Sequence, residues 1–498
     1  MSARPRSPSA AGPSVGKLAR ALAAAALLAG PTVIAFFSGG YFDQPREIGG
    51  IAAWILVAVA AIVSRRPFPR SWPGILAIAA LAALTGWIAL SLTWAPLAGA
   101  AQDDLQRVAF YLGVLIAAAA LLGPRPMARW IEPALAFGAF IVIGYGLSGR
   151  LLPDVIHLAH SRTALGRLEQ PLTYWNAMGL LAAMGFVLAT RIAGDASRDG
   201  RLRLGAAAVT PALAVGVYLS FSRGALAAVA VGLVVLVGLA PERRQMRVAG
   251  VLVAIGIVAS VAAGLLPAVR ALQGGAGAKT AEGAAMLVVL LVLMAAAAGA
   301  CAWLARREAT GRLRSDRVRL PRPRLIIAGS ILVLLAATLG AAALERRPGT
   351  PESGASTSRL TSVKSNRYDY WRVALEEFAD NPIRGAASGA FRVDWLRERT
   401  VLDPAKDAHS LYIETLGELG LVGEAILAAL IVGIAVSARR ASHRMPVQAA
   451  GAIAAMCVFA VHAGLDWDWE MPAVSLVALL LAGALIAWGD VSAEAPGG

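Results

Sequence analysis

Three residues stand where chemistry could be done: Arg223, Arg367 and His409. Each lies where a polar connector meets an apolar run. Arg223 follows Phe221-Ser222 at a tight link between two apolar stretches, Arg367 opens an amphipathic segment, and His409 falls in the first turn expected of a helix over 409–437. Singly, each has a bland explanation. A boundary arginine usually extends to the lipid headgroups. A histidine near a helix start is usually a satisfied interface residue, and a pair such as Arg372 and Glu376 is usually a solvated face. Together they describe something else. A helix N-terminus offers free N–H groups and positive potential, and two guanidinium forks match a pyrophosphate. A polyprenyl-diphosphate-linked sugar suits that place, with its tail in lipid and its diphosphate at the interface. A neutral His409 would take the proton of an acceptor hydroxyl as a glycosidic bond forms. The permanently charged arginines would stabilise the departing diphosphate. Asp407, Glu414 and Glu418 are alternative bases, and Arg384, Arg392 and Asp407 are further candidate contacts.

The elements that must position these residues are greasy helices. The chain has 498 residues, 58% hydrophobic and 15% charged, where a soluble domain carries about 25% charged residues. Apolar runs long enough to span a bilayer recur from end to end, so the fold class is all-α and polytopic. Fourteen spanning helices are expected, at about 18–38, 48–64, 73–94, 107–123, 127–148, 173–190, 204–220, 224–240, 248–266, 284–304, 325–344, 409–437, 447–465 and 472–489. The first run is long enough to span and lacks a convincing cleavage site, so no cleavable signal is expected.

An even count puts both termini on one side, and alternate connectors then share a side. One set holds most of the arginines: Arg65, Arg66 and Arg70, the run 191–203, Arg243, Arg244 and Arg247, and the run 306–324. Basic loops resist translocation, so that side is expected to be cytoplasmic, in the cytoplasmic (inner) membrane. The same bias explains the net charge of +15 without a nucleic-acid partner. The expected organisation is a disordered tail (1–17), a bundle of about eleven helices (18–344), a long extracytoplasmic loop carrying the chemistry (345–408), three more helices (409–489) and a short cytoplasmic tail (490–498).

Within the long loop, Tyr368, Trp371, Leu375 and Phe378 recur at helical spacing, with Ser365 or Asn366 as N-cap and Arg372, Glu376, Glu377 and Asp380 opposite. This predicts an amphipathic helix on the membrane surface or over the bundle. Asn381-Pro382 should stop it, Gly385 and Gly389 should turn the chain, and a second short helix is expected near 391–399. Cys301 and Cys457 both fall in apolar runs, so neither a disulfide nor a metal cluster is expected. The basic loops are short and contain no phosphate-cradling glycine motif. No cofactor and no metal is expected.

The segment Arg367-x3-Trp371-x2-Ala374-Leu375-x2-Phe378-x2-Asn381-Pro382-x2-Gly385, then Ala408-His409-Ser410-x-Tyr412, then Glu418-Leu419-Gly420-Leu421-x-Gly423, resembles the signature of the O-antigen ligase and O-antigen polymerase superfamily. Ser222-Arg223-Gly224-Ala225 and the stretch from Arg167 to Asn176-Ala177 resemble earlier parts of the same pattern. The resemblance implies a GT-C-like integral-membrane glycosyltransferase without a metal. Such an enzyme moves a glycan from undecaprenyl diphosphate to an acceptor on the outer face of the cytoplasmic membrane. The acceptor is a growing polysaccharide, a lipid or a protein hydroxyl. By that likeness Arg223 and Arg367 hold the diphosphate, His409 is the catalytic histidine, and Asn176 contributes to substrate binding.

Other classes compete. A transporter or flippase for a lipid-linked glycan predicts facing charges near the bilayer middle, whereas the charged residues here cluster at the ends of the apolar runs. The commonly repeated architecture of transporters is also not evident. A non-catalytic scaffold predicts that 365–424 tolerates substitution. A peptidoglycan polymerase of the shape-elongation-division-sporulation type shares the carrier but has fewer helices and different loop motifs.

Overall fold

The computed structural model describes residues 15–64, 67–314, 316, 318, 354–356, 358–361 and 365–490. Its architecture is all-α. The first half runs α1 (Val15–Ala35), α2 (Asp43–Val63), α3 (Trp72–Ser91), α4 (Ala98–Leu121), α5 (Arg125–Leu151), α6 (Trp175–Gly194), α7 (Gly200–Leu219) and α8 (Arg223–Leu239). The second half has α9 (Arg243–Leu265), the short α10 (Pro267–Ala271), α11 (Ala276–Ala309), α12 (Arg367–Asp380), α13 (Phe391–Glu398), α14 (Leu411–Arg444), α15 (Pro446–Ala463) and α16 (Pro472–Asp490). Among the described residues, 12 helices are long and apolar enough to cross a membrane, and α8 is a shorter apolar helix. The chain is therefore a multi-pass membrane protein. The helix expected at 325–344, the tail before residue 15 and most of 345–364 lie outside the described residues, so the expected count of fourteen meets these 12 and α8.

Burial sorts the helices. The apolar windows of α6 and α16 are 100% and 94% buried, whereas that of α2 is 17% buried. A helix apolar on every side belongs in the bundle interior or in lipid. Here α6 and α16 form the interior, and α2 and α11 present apolar surface outward. Small residues permit the closest approaches. A Cβ at Gly433 of α14 would come within 2.8 Å of the Pro73 carbonyl in α3, and one at Gly483 of α16 would meet Ala118 of α4.

Three local expectations need correction. Helix α4 starts at Ala98, not near 107. The apolar window excludes Asp103, Asp104 and Arg107. These residues nevertheless fold into the helix because each finds a partner: Arg46 on Asp103 at 2.9 Å, and Arg107 on both Asp104 and Glu470. Helix α14 starts at Leu411, so His409 precedes the first turn. Ser410 is the N-cap, its Oγ accepts the Ile413 N–H, and Glu414 accepts the Ala408 N–H at 2.7 Å. The Ser410 cap takes one N–H of that helix start.

The third correction concerns α12, whose buried face is rotated from the expected one. Tyr370, Trp371, Val373, Ala374 and Glu377 are buried, and Leu375 is 46% exposed. The cause is close packing on α14, where a Cβ at Gly417 would lie 2.6 Å from the Ala374 carbonyl. Small residues, not the largest apolar ones, set the contact face. At the start of α12, Asn366 is the cap position. Ser365 Oγ accepts the Arg367 N–H, while the Asn366 amide turns to Asp403.

The expected turn at Gly385 and Gly389 is present, both with positive φ (74° and 72°). It docks into a break in α14 at Gly420 (φ 64°). There Leu421 N–H donates to the Pro382 carbonyl, and Ala387 N–H to the Glu418 carbonyl. The two stretches Asn381-Pro382-x2-Gly385 and Glu418-Leu419-Gly420-Leu421 thus interlock through backbone hydrogen bonds. This joint holds α12 and α13 over one end of the bundle.

Candidate active site

At that end lies a cavity of about 660 Å³. Its wall includes Arg223, Arg367, His409, Asn176 and Asp407, which reach it from four separate stretches of chain. Arg223 is the first residue of α8, behind the tight link where Phe221 takes φ 51° and Ser222 caps the helix. Asn176 is in the first turn of α6 and Arg367 in the first turn of α12. His409 sits two residues before α14 with φ 56°. A left-handed backbone is uncommon away from glycine, and here the residue that adopts it lines the cavity.

The connector between α15 and α16 organises these groups. Asp466, fully buried, accepts from four side chains. Arg367 Nη2 and Asn176 Nδ2 donate to Oδ2 at 2.5 Å each; the Tyr174 hydroxyl and His409 Nδ1 bond Oδ1 at 2.6 and 2.9 Å. Burial alone would raise the Asp466 carboxyl. The Arg367 guanidinium and His409 override burial and hold it well below the usual carboxylate range. A carboxylate only accepts, so His409 carries its proton on Nδ1 when neutral and Nε2 is left as the basic nitrogen. Tyr370 stacks on the imidazole at 5.0 Å between centroids, and its hydroxyl donates to Asp403 at 2.6 Å. Trp467 meets the ring edge-on.

Arg167 adds a further cation to the wall. Its guanidinium lies 3.5 Å from the centre of the Trp175 ring and donates to the Ala164 and Thr163 carbonyls. With Arg223, Arg367 and the exposed Lys406, four cationic side chains face one cavity. This favours an anionic ligand of matching charge. The aromatic residues Tyr41, Tyr174, Trp175 and Trp467 complete a wall suited to sugar faces.

Behind Asp407 lies a second group of acids. Asp407, Glu414 and Glu470 each place an oxygen within 4.8 Å of the others. Glu418 accepts the Phe391 N–H, and Asp104 accepts the Ser388 hydroxyl. Burial pushes both Asp407 and Glu470 above the usual carboxyl range, against the pull of Arg107. Linear spacing shows no metal-ligand set, yet folding brings these three carboxylates together. Such a trio could hold a divalent cation, although Glu414 and Glu470 are already engaged by the Ala408 N–H and Arg107.

Two candidates lie elsewhere. Arg384 is exposed and sits over the Trp94 ring at 5.3 Å, outside the cavity wall. Arg392 is half-buried and also outside the wall, where its charge, after that of Arg107, opposes the burial-driven rise of the Asp407 carboxyl. Asp466 is the residue that sequence reasoning passed over. Its connector carries Asp466, Asp468 and Glu470 at alternate positions between two apolar runs, an unusual density of acid that is the only local signal.

Residues 278–428 match the family model described as O-Antigen ligase. The matched stretch includes Arg367, Asp407 and His409 and the interlocked turn; Asn176, Arg223 and Asp466 fall outside it. The match supports the O-antigen ligase and polymerase superfamily. No curated protein matches the chain.

Proposed function

We propose that this chain, with an O-antigen ligase segment at 278–428 and a role in polysaccharide biosynthesis, transfers a glycan from a polyprenyl (undecaprenyl) diphosphate to an acceptor hydroxyl. Arg223 and Arg367 hold the donor diphosphate, with Arg167 deepening the positive field. His409 Nε2 takes the acceptor proton. The acceptor oxygen attacks the anomeric carbon, the bond from that carbon to the diphosphate oxygen breaks, and the lipid diphosphate leaves against the guanidinium groups. Asp466 fixes the imidazole and balances the charge it gains. Asn176 and Tyr174 fix Asp466.

One observation carries this reading: a single buried carboxylate joins Arg367 to His409 in the cavity that Arg223 also lines. The arginine proposed to bind the donor phosphate and the proposed proton acceptor are thereby held in one unit, which is what transfer between a phosphate leaving group and a hydroxyl requires. The site end of the bundle is extracytoplasmic on this reading, with the basic ends cytoplasmic, as the arginine distribution favours. Asp407 lines the same cavity, and Arg384 and Arg392 lie outside its wall. The proposed step calls on no metal.

The test is a gene deletion complemented by wild-type or His409→Ala protein, followed by extraction of carrier-linked glycans. Single repeat units accumulating on the carrier without polymer identify a polymerase. Finished polymer retained on the carrier identifies a ligase. Unchanged glycans in the deletion strain and in the His409→Ala strain would overturn the proposal.

A further inference from the structure

The proposed mechanism leaves one buried histidine unused. His462 is fully buried near the end of α15. Its Nδ1 faces Asp468 Oδ2 at 2.5 Å, and its Nε2 faces Ser222 Oγ at 3.1 Å. Asp468 is fully buried and Ser222 is 3% exposed. The order Ser–His–Asp is that of an activated nucleophile. The surroundings contradict that role. Ser222 does not line the cavity. Its oxygen also caps α8 by accepting the Ala225 N–H at 3.2 Å.

What the hydroxyl does touch is the start of the helix whose first residue is Arg223. The His462 ring lies against that turn, because a Cβ built on Gly224 would meet its Cδ2 and Nε2 at 3.1 Å each. The carboxylate that orients the ring belongs to the connector that carries Asp466. Asp466 fixes Arg367, and two residues later Asp468 fixes His462, which holds Ser222 and hence the backbone of Arg223. We infer that His462 is a positioning residue for Arg223, oriented by Asp468 and acting through Ser222, so that one connector sets the spacing of both phosphate-binding arginines. This rests on the donor-binding role proposed for Arg223. With the ring neutral and its Nδ1–H given to the carboxylate, Nε2 accepts the Ser222 hydroxyl proton, and that hydroxyl's lone pair remains for Ala225.

The experiment uses the full chain in lipid nanodiscs. His462→Ala and His462→Gln are made alone and in Arg223→Lys and Arg367→Lys backgrounds. Transfer from a polyprenyl-diphosphate glycan gives KM and kcat, and hydrogen exchange reads the Ala225 amide. A lysine is a flexible point charge that depends less on a fixed backbone than a guanidinium fork does. His462→Ala should therefore raise KM about tenfold alone and in the Arg367→Lys background, but less than about twofold with Arg223→Lys. Ala225 exchange should quicken about tenfold as its cap loosens. The glutamine amide can still reach the Ser222 hydroxyl and should restore most of both losses.

Equal effects in both lysine backgrounds, an unchanged Ala225 amide, or labelling of Ser222 by a fluorophosphonate would each overturn the inference. Should Arg223→Lys and Arg223→Ala both transfer normally, the donor role of Arg223 fails instead. Ala225 exchange then still decides whether His462 sets this helix start.

Discussion

Asp466 and His409 face each other at 2.9 Å, a buried carboxylate on the Nδ1 side of a half-exposed imidazole. The same carboxylate holds Arg367 at 2.5 Å, so the proposed base and a phosphate-binding arginine cannot shift independently. Asp466→Asn tests that coupling with little change of volume. An amide can present its N–H to Nδ1, which reverses the tautomer and takes the base away from Nε2. We expect kcat to fall by about 10²–10³-fold with KM changed less, measured as lipid diphosphate released per protein.

Removing Arg367 leaves Asp466 charged and buried without its closest cation. Arg367→Ala should cost about 2–4 kcal/mol of stability in addition to its loss of transfer, discounted toward the lower end because the arginine is 20% exposed. Arg367→Ala combined with Asp466→Asn should recover part of the thermal stability in detergent while transfer stays lost. Additive stability losses would mean that the pair is not coupled.

Glu377 gives a pH prediction away from the spans. Burial raises its carboxyl to about 10, and the charges of Glu418 and Asp394 add to the effect. The folded state therefore binds more protons than the unfolded chain from near the ordinary glutamate value upward, and stability falls as pH rises toward about 10. The melting temperature of the wild type should drop between pH 6 and 9. Glu377→Gln should flatten that slope and melt higher at the alkaline end.

The break in α14 depends on Gly420. Its φ is 64°, and a Cβ would lie 2.4 Å from the Ile383 carbonyl and 2.6 Å from the Gly385 nitrogen. Gly420→Ala should cost about 2–4 kcal/mol, seen as a loss of monodisperse protein on size exclusion. Arg384→Ala supplies the contrast. Its guanidinium rests on Trp94 outside the cavity, so transfer should stay within about twofold of wild type.

Much of this was legible in the sequence because the candidate residues sit at helix boundaries, and boundaries follow from hydropathy. Arg223, Arg367, Asp407 and His409 stand out that way and Asn176 by the family resemblance, and all five line one cavity. Propensity also located the turn at Gly385 and Gly389 and the end of α12. Contact direction was less legible. The face of α12 was misjudged because backbone approach at Ala374 and Gly417 outweighs the pull of Leu375 and Phe378. Asp466 went unassigned because its partners lie 57, 99, 290 and 292 positions away, a relation that no local pattern encodes. Arg384 and Arg392, further candidate contacts by residue type, lie outside the cavity wall.

The most direct measurement of the central claim is single-turnover transfer by purified protein in nanodiscs loaded with a polyprenyl-diphosphate glycan and an acceptor. Wild-type protein should form the glycosidic bond and release polyprenyl diphosphate. His409→Ala should retain the donor with unchanged affinity and release less than about one hundredth as much in the same time. Release from His409→Ala at the wild-type rate would contradict the account, and so would donor left intact by both proteins.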